Sequence, residues 1–199
     1  MNTENLPIVL GSASPMRLTL LKNAGFEVAE VLSVDLDETE HKKENPRDYC
    51  LRVTKEKFIA VSKLIKTQKA ILITSDTTGI VGKKFLHKTD NDEVIRKYMH
   101  LISGKKHKVI TSICCGIVIN NEIQEIRTKT VESTVSVKRM HDKEIEFYVR
   151  SKQGLGKAGG CTLQGIMARY ITEINGSFSS ILGLPLYETS QLLNSLGYR

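Results

Sequence analysis

Tryptophan is missing from this 199-residue chain, and the aromatic share is only 6%. Surfaces that grip nucleic acid by base stacking interleave aromatic with basic side chains, so the scarcity argues against such a platform. Cysteine is also rare. Cys50, Cys114, Cys115 and Cys161 form no C-x-x-C pair, and Cys114 and Cys115 fall in an expected strand, where neighbours point to opposite faces. Free thiols in a reducing cytoplasm are the expectation. The five histidines lack ligand spacing, which argues against a zinc enzyme. No apolar run approaches the roughly 20 residues that span a bilayer. The opening MNTENLP has neither an apolar stretch nor a basic leader, so no secretory signal is expected.

What is present is ordinary for a globular protein: 40% hydrophobic and 26% charged residues. A chain this long buries roughly 70% of its unfolded surface and needs no disulfides to hold a core. One domain over 1–199 is the expectation. The net charge of +7 points to an anionic partner such as a nucleotide, nucleic acid or acidic lipid.

Apolar runs and breakers alternate along the chain. Pro7 to Leu10 reads as a buried strand that breaks at GSASP. Ser14 and Pro15 form a helix-start signature, with Gly25 as the stop. Phe26 to Val34 reads as a second strand, ending in the acidic DLDETE. Asn45 and Pro46 open a long helix to about Lys66. Ala70 to Ser75 is the next strand, and Asp90 to Ile102 an amphipathic helix. His107 to Ile119 and Ile123 to Val137 flank Asn120-Asn121, a hairpin signal. Asp142 to Arg150 is a short helix, followed by a glycine-rich irregular stretch, a strand at Tyr170 to Ile174 and a helix at Pro185 to Leu196. Helices alternating with strands around a hairpin predict an α/β fold on a mixed parallel and antiparallel sheet.

Several stretches carry chemistry. In GSASPMR, exposed N–H groups at a helix start, two hydroxyls (Ser12, Ser14) and Arg17 one turn in make an anion site; a strand-to-helix turn with a serine cap is the plainer reading. On the long helix, Tyr49, Val53, Ala60, Val61 and Leu64 form an apolar stripe. Lys57 falls inside it, so it must snorkel or pair with an anion. The stretch ILITSDTTGIVGKK reads as a strand ending on Asp76 and followed by turns. A carboxylate at a strand's C-terminal end sits where open α/β sheets bind ligands, and can hold a divalent ion or take a proton from water. A turn-forming aspartate is an equal alternative. Thr77 and Thr78 add hydroxyls, Lys83, Lys84 and Lys88 add positive charge, and Glu38 is a candidate second acid or a solvated loop residue. GLGKAG matches the dinucleotide fingerprint but follows a charged helix instead of a strand, which marks the match as accidental. GIVGK is too short for a Walker A loop.

Together these motifs resemble the Maf family of nucleoside triphosphate pyrophosphatases, also called septum-formation inhibitors, over nearly the whole chain. GSASPMR resembles S-x-S-P-R-R, DLDE an acidic D-E or E-E element, VTKEK A-R-E-K, and SDTT A-D-T. LHKTD resembles L-G-K-P-x-D, ISGKKHKVIT L-S-G-x-x-H-x-V-x-T, and GKAGGCTLQG D-K-A-G-A-Y-G-I-Q-G. The resemblance implies a Maf/ITPase-like fold, an elongated two-lobed single domain with a central cleft. It implies a hydrolase dependent on Mg²⁺ or Mn²⁺ that splits a nucleoside triphosphate between its α and β phosphates, with a link to septation or to cleansing of the nucleotide pool. By position, Asp76 matches the base that activates water. Arg17, Lys57 and Lys88 match phosphate-binding residues, Glu38 and Asp76 metal ligands, and Thr77 and Gln164 positions tied to base selectivity. Members of the family act on non-standard or pyrimidine nucleotides, and Gln164 resembles the branch that takes dTTP and UTP. A homodimer is implied by resemblance alone.

Four departures bear on substrate choice: Met16 replaces an arginine, Gly156 an aspartate, Cys161 a tyrosine and Thr89 a proline. The rival expectation is a catalytically impaired nucleotide- or nucleic-acid-binding regulator of cell division. A dinucleotide-dependent oxidoreductase is a distant third.

Overall fold

The computed structural model describes residues 6–198; most of the opening stretch on which the leader expectation rests lies outside them. The elements in chain order are β1 (Ile8–Gly11), α1 (Pro15–Asn23), β2 (Val28–Leu32), α2 (Pro46–Ser62), β3 (Lys69–Val81), β4 (Lys84–Leu86), α3 (Asp92–Ile102), β5 (Lys106–Ile119), β6 (Glu122–Val137), α4 (Asp142–Arg150), β7 (Ile171–Asn175), α5 (Phe178–Ile181) and α6 (Leu186–Ser195). Short 3₁₀ turns at Ala158–Gly160 and Gly165–Arg169 precede β7. The strands form a seven-stranded sheet in the order β2-β1-β3-β5-β6-β7, with β4 paired to β3. β1 runs parallel to β2 and to β3, whereas β3–β4 and β6–β7 are antiparallel. This is the mixed α/β sheet that the alternating pattern predicts.

Local signals set most of these boundaries. Asn45 caps α2, its side chain accepting from the backbone N–H groups of Arg47 and Asp48, with Pro46 in the first turn, where its missing N–H costs nothing. Asn120 and Asn121 both adopt positive φ, 50° and 64°, the geometry of a tight hairpin turn that asparagine tolerates. Ser14 stands at the N-terminus of α1 but makes no side-chain capping bond.

Contacts divide the chain into two compact units. One comprises the described residues within 1–76, 111–131 and 183–199, the other residues 77–110 and 132–182. In the first, the period of two along each strand sorts side chains onto two faces. Ile8, Leu10, Ile71, Ile73, Ile113, Cys115 and Ile117 cluster with Leu21 of α1 and Leu192 and Leu193 of α6. Val9, Ala70, Leu72, Cys114 and Val118 cluster instead with Phe58 and Val61 of α2. Cys114 and Cys115 thus lie in different clusters, as neighbours on a strand should. Gly11 allows the helix to come close: a Cβ there would meet Thr74 Cγ2 at 2.6 Å and Val61 at 3.3 Å.

The second unit packs Ile95, Met99 and Ile102 of α3 and Ile145, Tyr148 and Val149 of α4 around Leu86, Val109 and Val135. The glycine-rich stretch belongs to this packing. A Cβ on Gly154 would lie 2.5 Å from the Gly160 carbonyl, and one on Gly160, at φ 61°, would press on Ile95. These glycines permit close packing after a helix, in agreement with reading GLGKAG as no dinucleotide motif.

Two sequence expectations need correction. β3 does not end on Asp76 but continues to Val81. Thr77, Thr78, Ile80 and Val81 are β-branched residues that suit an extended chain, and the turn comes only at Gly82. The apolar stripe of α2 also ends sooner than its spacing suggests: the helix stops at Ser62, and Leu64 beyond it is exposed. Tyr49, Cys50, Val53, Thr54, Lys57, Phe58 and Val61 are its buried residues.

Candidate active site

The first unit contains a charged centre where its sheet meets α2. Asp76 shares the parity of Ala70, Leu72 and Thr74, so it faces the helix that carries Lys57. Thr74 reports the same closeness by donating its hydroxyl to the Thr54 carbonyl at 3.0 Å. The Lys57 ammonium lies 2.7 Å from Asp76 Oδ1 and 2.6 Å from Glu38 Oε1. Lys57 therefore does not snorkel: it is 9% exposed and Asp76 2%. Taking two such charges out of water costs several kcal/mol each unless they pair closely.

Arg17 is the second buried cation, 4% exposed. Its Nη1 donates to Ser12 Oγ at 2.9 Å and its Nε to the Gly183 carbonyl at 2.7 Å. That carbonyl also accepts from Ser75 Oγ at 2.9 Å. Burial lowers the affinity of the guanidinium for its proton, against which the charges of Asp76 and Glu38 act. Ser14 contributes its backbone N–H, which donates to Ser12 Oγ at 3.2 Å. Ser12, Ser14 and Arg17 thus form one hydrogen-bonded group, and Ser14 holds the N-cap position of α1 without a side-chain capping bond.

Cys50 Sγ donates to the Asp76 carbonyl at 3.2 Å. Burial and then the Asp76 charge push this thiol up to about 12, so it is a neutral packing group and not a nucleophile. Burial and the same two carboxylates raise the Tyr49 phenol well above its ordinary value.

Glu38 and Asp76 converge on one cationic group, and both are hard oxygen donors. Among the described residues no group of three or more His, Cys, Asp or Glu is placed to hold an ion. The pair suits Mg²⁺ or Mn²⁺, which take one or two carboxylates and complete their shell with water and substrate phosphate. Zinc would prefer nitrogen and sulfur ligands.

The remaining sequence candidates belong to the second unit. Thr77 is buried on β3, Lys88 is exposed after β4, and Gln164 is exposed at the start of the second 3₁₀ turn. Of the positions singled out, Ser12, Ser14, Arg17, Glu38, Lys57 and Asp76 fall in the first unit. Sequence reasoning missed Gly183 and Ser75. Gly183 lies 166 residues from the arginine it holds, beyond any local signal.

The family described as "Maf-like protein" matches residues 7–196. A Rickettsia akari protein named nucleoside triphosphate pyrophosphatase is 37% identical over 196 residues, covering 98% of this chain and 96% of its own length. Its namesake from Rickettsia canadensis is 37% identical over 198 residues, covering 100% and 97%. A solved dITP/XTP pyrophosphatase from Mycobacterium abscessus aligns over 68% of this chain and 76% of its own, at 12% identity and a TM-score of 0.33, too remote to bear on the site. With the motifs matched in order and the relatives aligned end to end, the chain belongs to the Maf-like protein family.

Proposed function

We propose that this chain hydrolyses nucleoside triphosphates between the α and β phosphates, releasing a nucleoside monophosphate and pyrophosphate. The observation that carries the reading is the close contact of Lys57 with both Glu38 and Asp76, beside a second buried cation, Arg17. The names of the relatives agree with it.

A triphosphate carries close to four negative charges, and attack at the α-phosphorus spreads more charge onto its oxygens. Preformed cations are the means of stabilising that charge. Lys57 and Arg17 are buried, held by named partners and prepaid in desolvation, so they bind phosphate oxygens with little reorganisation. Asp76 is the base: Oδ1 is held by Lys57, and its carboxylate accepts the proton of the attacking water. Glu38 and Asp76 would hold Mg²⁺ or Mn²⁺. When bound, the ion neutralises phosphate charge and favours the in-line geometry of attack. Ser12 and Ser14 complete the phosphate site at the start of α1. By position in the family motifs, Lys88 is assigned to phosphate and Thr77 and Gln164 to base selectivity, with dTTP and UTP or modified nucleotides as the favoured substrates.

Pyrophosphate release from a panel of ribo- and deoxynucleoside triphosphates, including modified bases, tests this with Mg²⁺ or Mn²⁺. Turnover of at least one member is expected, with a pyrimidine nucleotide leading. A nucleotide that raises the melting temperature while no member of the panel is turned over would replace the enzyme with a binding protein.

A further inference from the structure

The segment carrying Glu38, residues 33–45, contains neither helix nor strand. No backbone ladder fixes the acid, so something else must bring its carboxylate to within 2.6 Å of Lys57. We infer that Arg52 is a positioning residue that clamps this loop onto α2 and thereby holds Glu38 against Lys57.

Arg52 grips Glu44 through both ends of its fork, Nε to Oε1 at 2.7 Å and Nη2 to Oε2 at 2.8 Å. Nη2 also donates to the carbonyl of Thr39, the residue after Glu38, at 3.0 Å. Nη1 pairs with Glu56 one turn along the helix at 3.1 Å, and the guanidinium carbon stands 5.5 Å from the centre of the Tyr49 ring. One side chain therefore ties two points of the loop to the helix that bears Lys57, five residues further on. Loop and lysine share one scaffold, which fixes a site more tightly than a free loop can.

The loop is folded around these ties. Asp37 Oδ1 accepts from the Thr39 backbone N–H at 2.9 Å and from its hydroxyl at 2.5 Å, a tight turn about Glu38. Glu44 Oε2 accepts from the His41 N–H at 3.0 Å. Hydrogen bonding from Arg52 holds the Glu44 carboxyl down to about 2. An ordinary helix-surface pair would stop at Glu56. The contacts to Glu44 and to the Thr39 carbonyl lead off the helix, and they need a planar fork that lysine lacks.

Two readouts test the clamp, both on the full chain. The first uses no nucleotide. Amide hydrogen exchange across residues 36–45 is expected to quicken at least tenfold in Arg52→Met, while β1 and β3 stay protected. Glu44→Gln, which weakens the same fork without altering α2, should reproduce the local change. Unchanged exchange in the loop, or faster exchange throughout the molecule, would overturn the clamp.

The second readout rests on the proposed function. Pyrophosphate release by Arg52→Met should fall about 10–100-fold in kcat, as expected when a misplaced group costs orientation. The same change made in a Glu38→Gln background should add little, because Arg52 acts through Glu38. Fully additive losses would mean that Arg52 supports the fold generally, and would reject positioning. A wild-type chain that turns over no nucleotide defeats the proposed function, while the exchange readout still decides the clamp.

Discussion

Both compact units use multi-partner ion groups, and they use them in opposite settings. In the first, Lys57 joins Asp76, with side chains only 11% and 3% exposed, and Glu38 at the rim, 37% exposed. In the second, Arg96, itself 27% exposed, joins Glu93 and Glu146, whose side chains are 71% and 38% exposed. Lys106 with Glu173 is more open still. Pairs in water contribute about 0–1 kcal/mol. A buried pair offsets its desolvation poorly, and apolar residues of similar volume often do as well or better for stability. The solvated pairs therefore need no explanation beyond solubility, whereas the buried group is a cost that folding alone does not justify. Residues that break the local rule are the ones to suspect of function.

That contrast can be broken at Asp76, where the largest effect is expected. Asp76→Asn keeps the shape and leaves Lys57 paired with Glu38, so the melting curve should show a folded protein. On the proposed function this removes the base and one ligand carboxylate, and pyrophosphate release should fall by at least about 10²–10³. A mutant that keeps the wild-type rate would remove Asp76 from the chemistry.

Stability measurements sharpen the comparison. Lys57→Met leaves Asp76 buried without its cation, and urea unfolding should show a loss of about 3–5 kcal/mol. The double variant Lys57→Met with Asp76→Leu should recover most of that loss, yet neither variant should release pyrophosphate. Arg96→Met in the second unit should cost no more than about 1 kcal/mol and leave the rate unchanged. Equal costs for Lys57→Met and Arg96→Met would erase the distinction between the two ion groups.

The sequence discloses the buried group unevenly. Lys57 stands out because it violates an apolar stripe, and the structure resolves that violation with two carboxylates. The course of β3 was misread at the same site. Asp followed by two threonines and glycine imitates a turn, because the ammonium that makes a buried aspartate tolerable in a strand comes from a helix 19 residues earlier in the chain. The β-branched run through Thr77, Thr78, Ile80 and Val81 was the available signal for continuation. Asn45-Pro46 and Asn120-Asn121 were legible because their chemistry is local. Arg17 was legible as a cation near a helix start, but its seat on Gly183 was not. Arg52 looks like half of an i,i+4 pair with Glu56, and only the fold of an irregular loop brings Glu44 and Thr39 to it.

The last effect concerns acid, where a buried imidazole and a tied carboxylate respond over different ranges. His107, in the second unit, is 4% exposed, with Nδ1 lacking a hydrogen-bond partner, and burial lowers its pKa from 6.5 to about 4. Its folded pKa lies below the unfolded one, so the unfolded chain binds more protons between these values. The stability tied to a neutral His107 is complete above about pH 6.5 and is lost as pH falls towards 4, on the order of 3 kcal/mol. Glu44, in the first unit, is depressed from 4.5 to about 2 by the Arg52 fork. Its contribution is complete above about pH 4.5 and disappears only as pH falls towards 2; partial solvation at the loop makes it the smaller of the two. Urea midpoints measured from pH 8 to pH 3 should therefore drop first between 6.5 and 4. His107→Gln should flatten that first drop and leave the later one, whereas Glu44→Gln should leave the first and soften only part of the later one, to which the depressed carboxylates of Asp37, Glu144, Glu146 and Glu173 also contribute. A first drop that survives His107→Gln would show that burial of the imidazole does not set the acid response of the second unit.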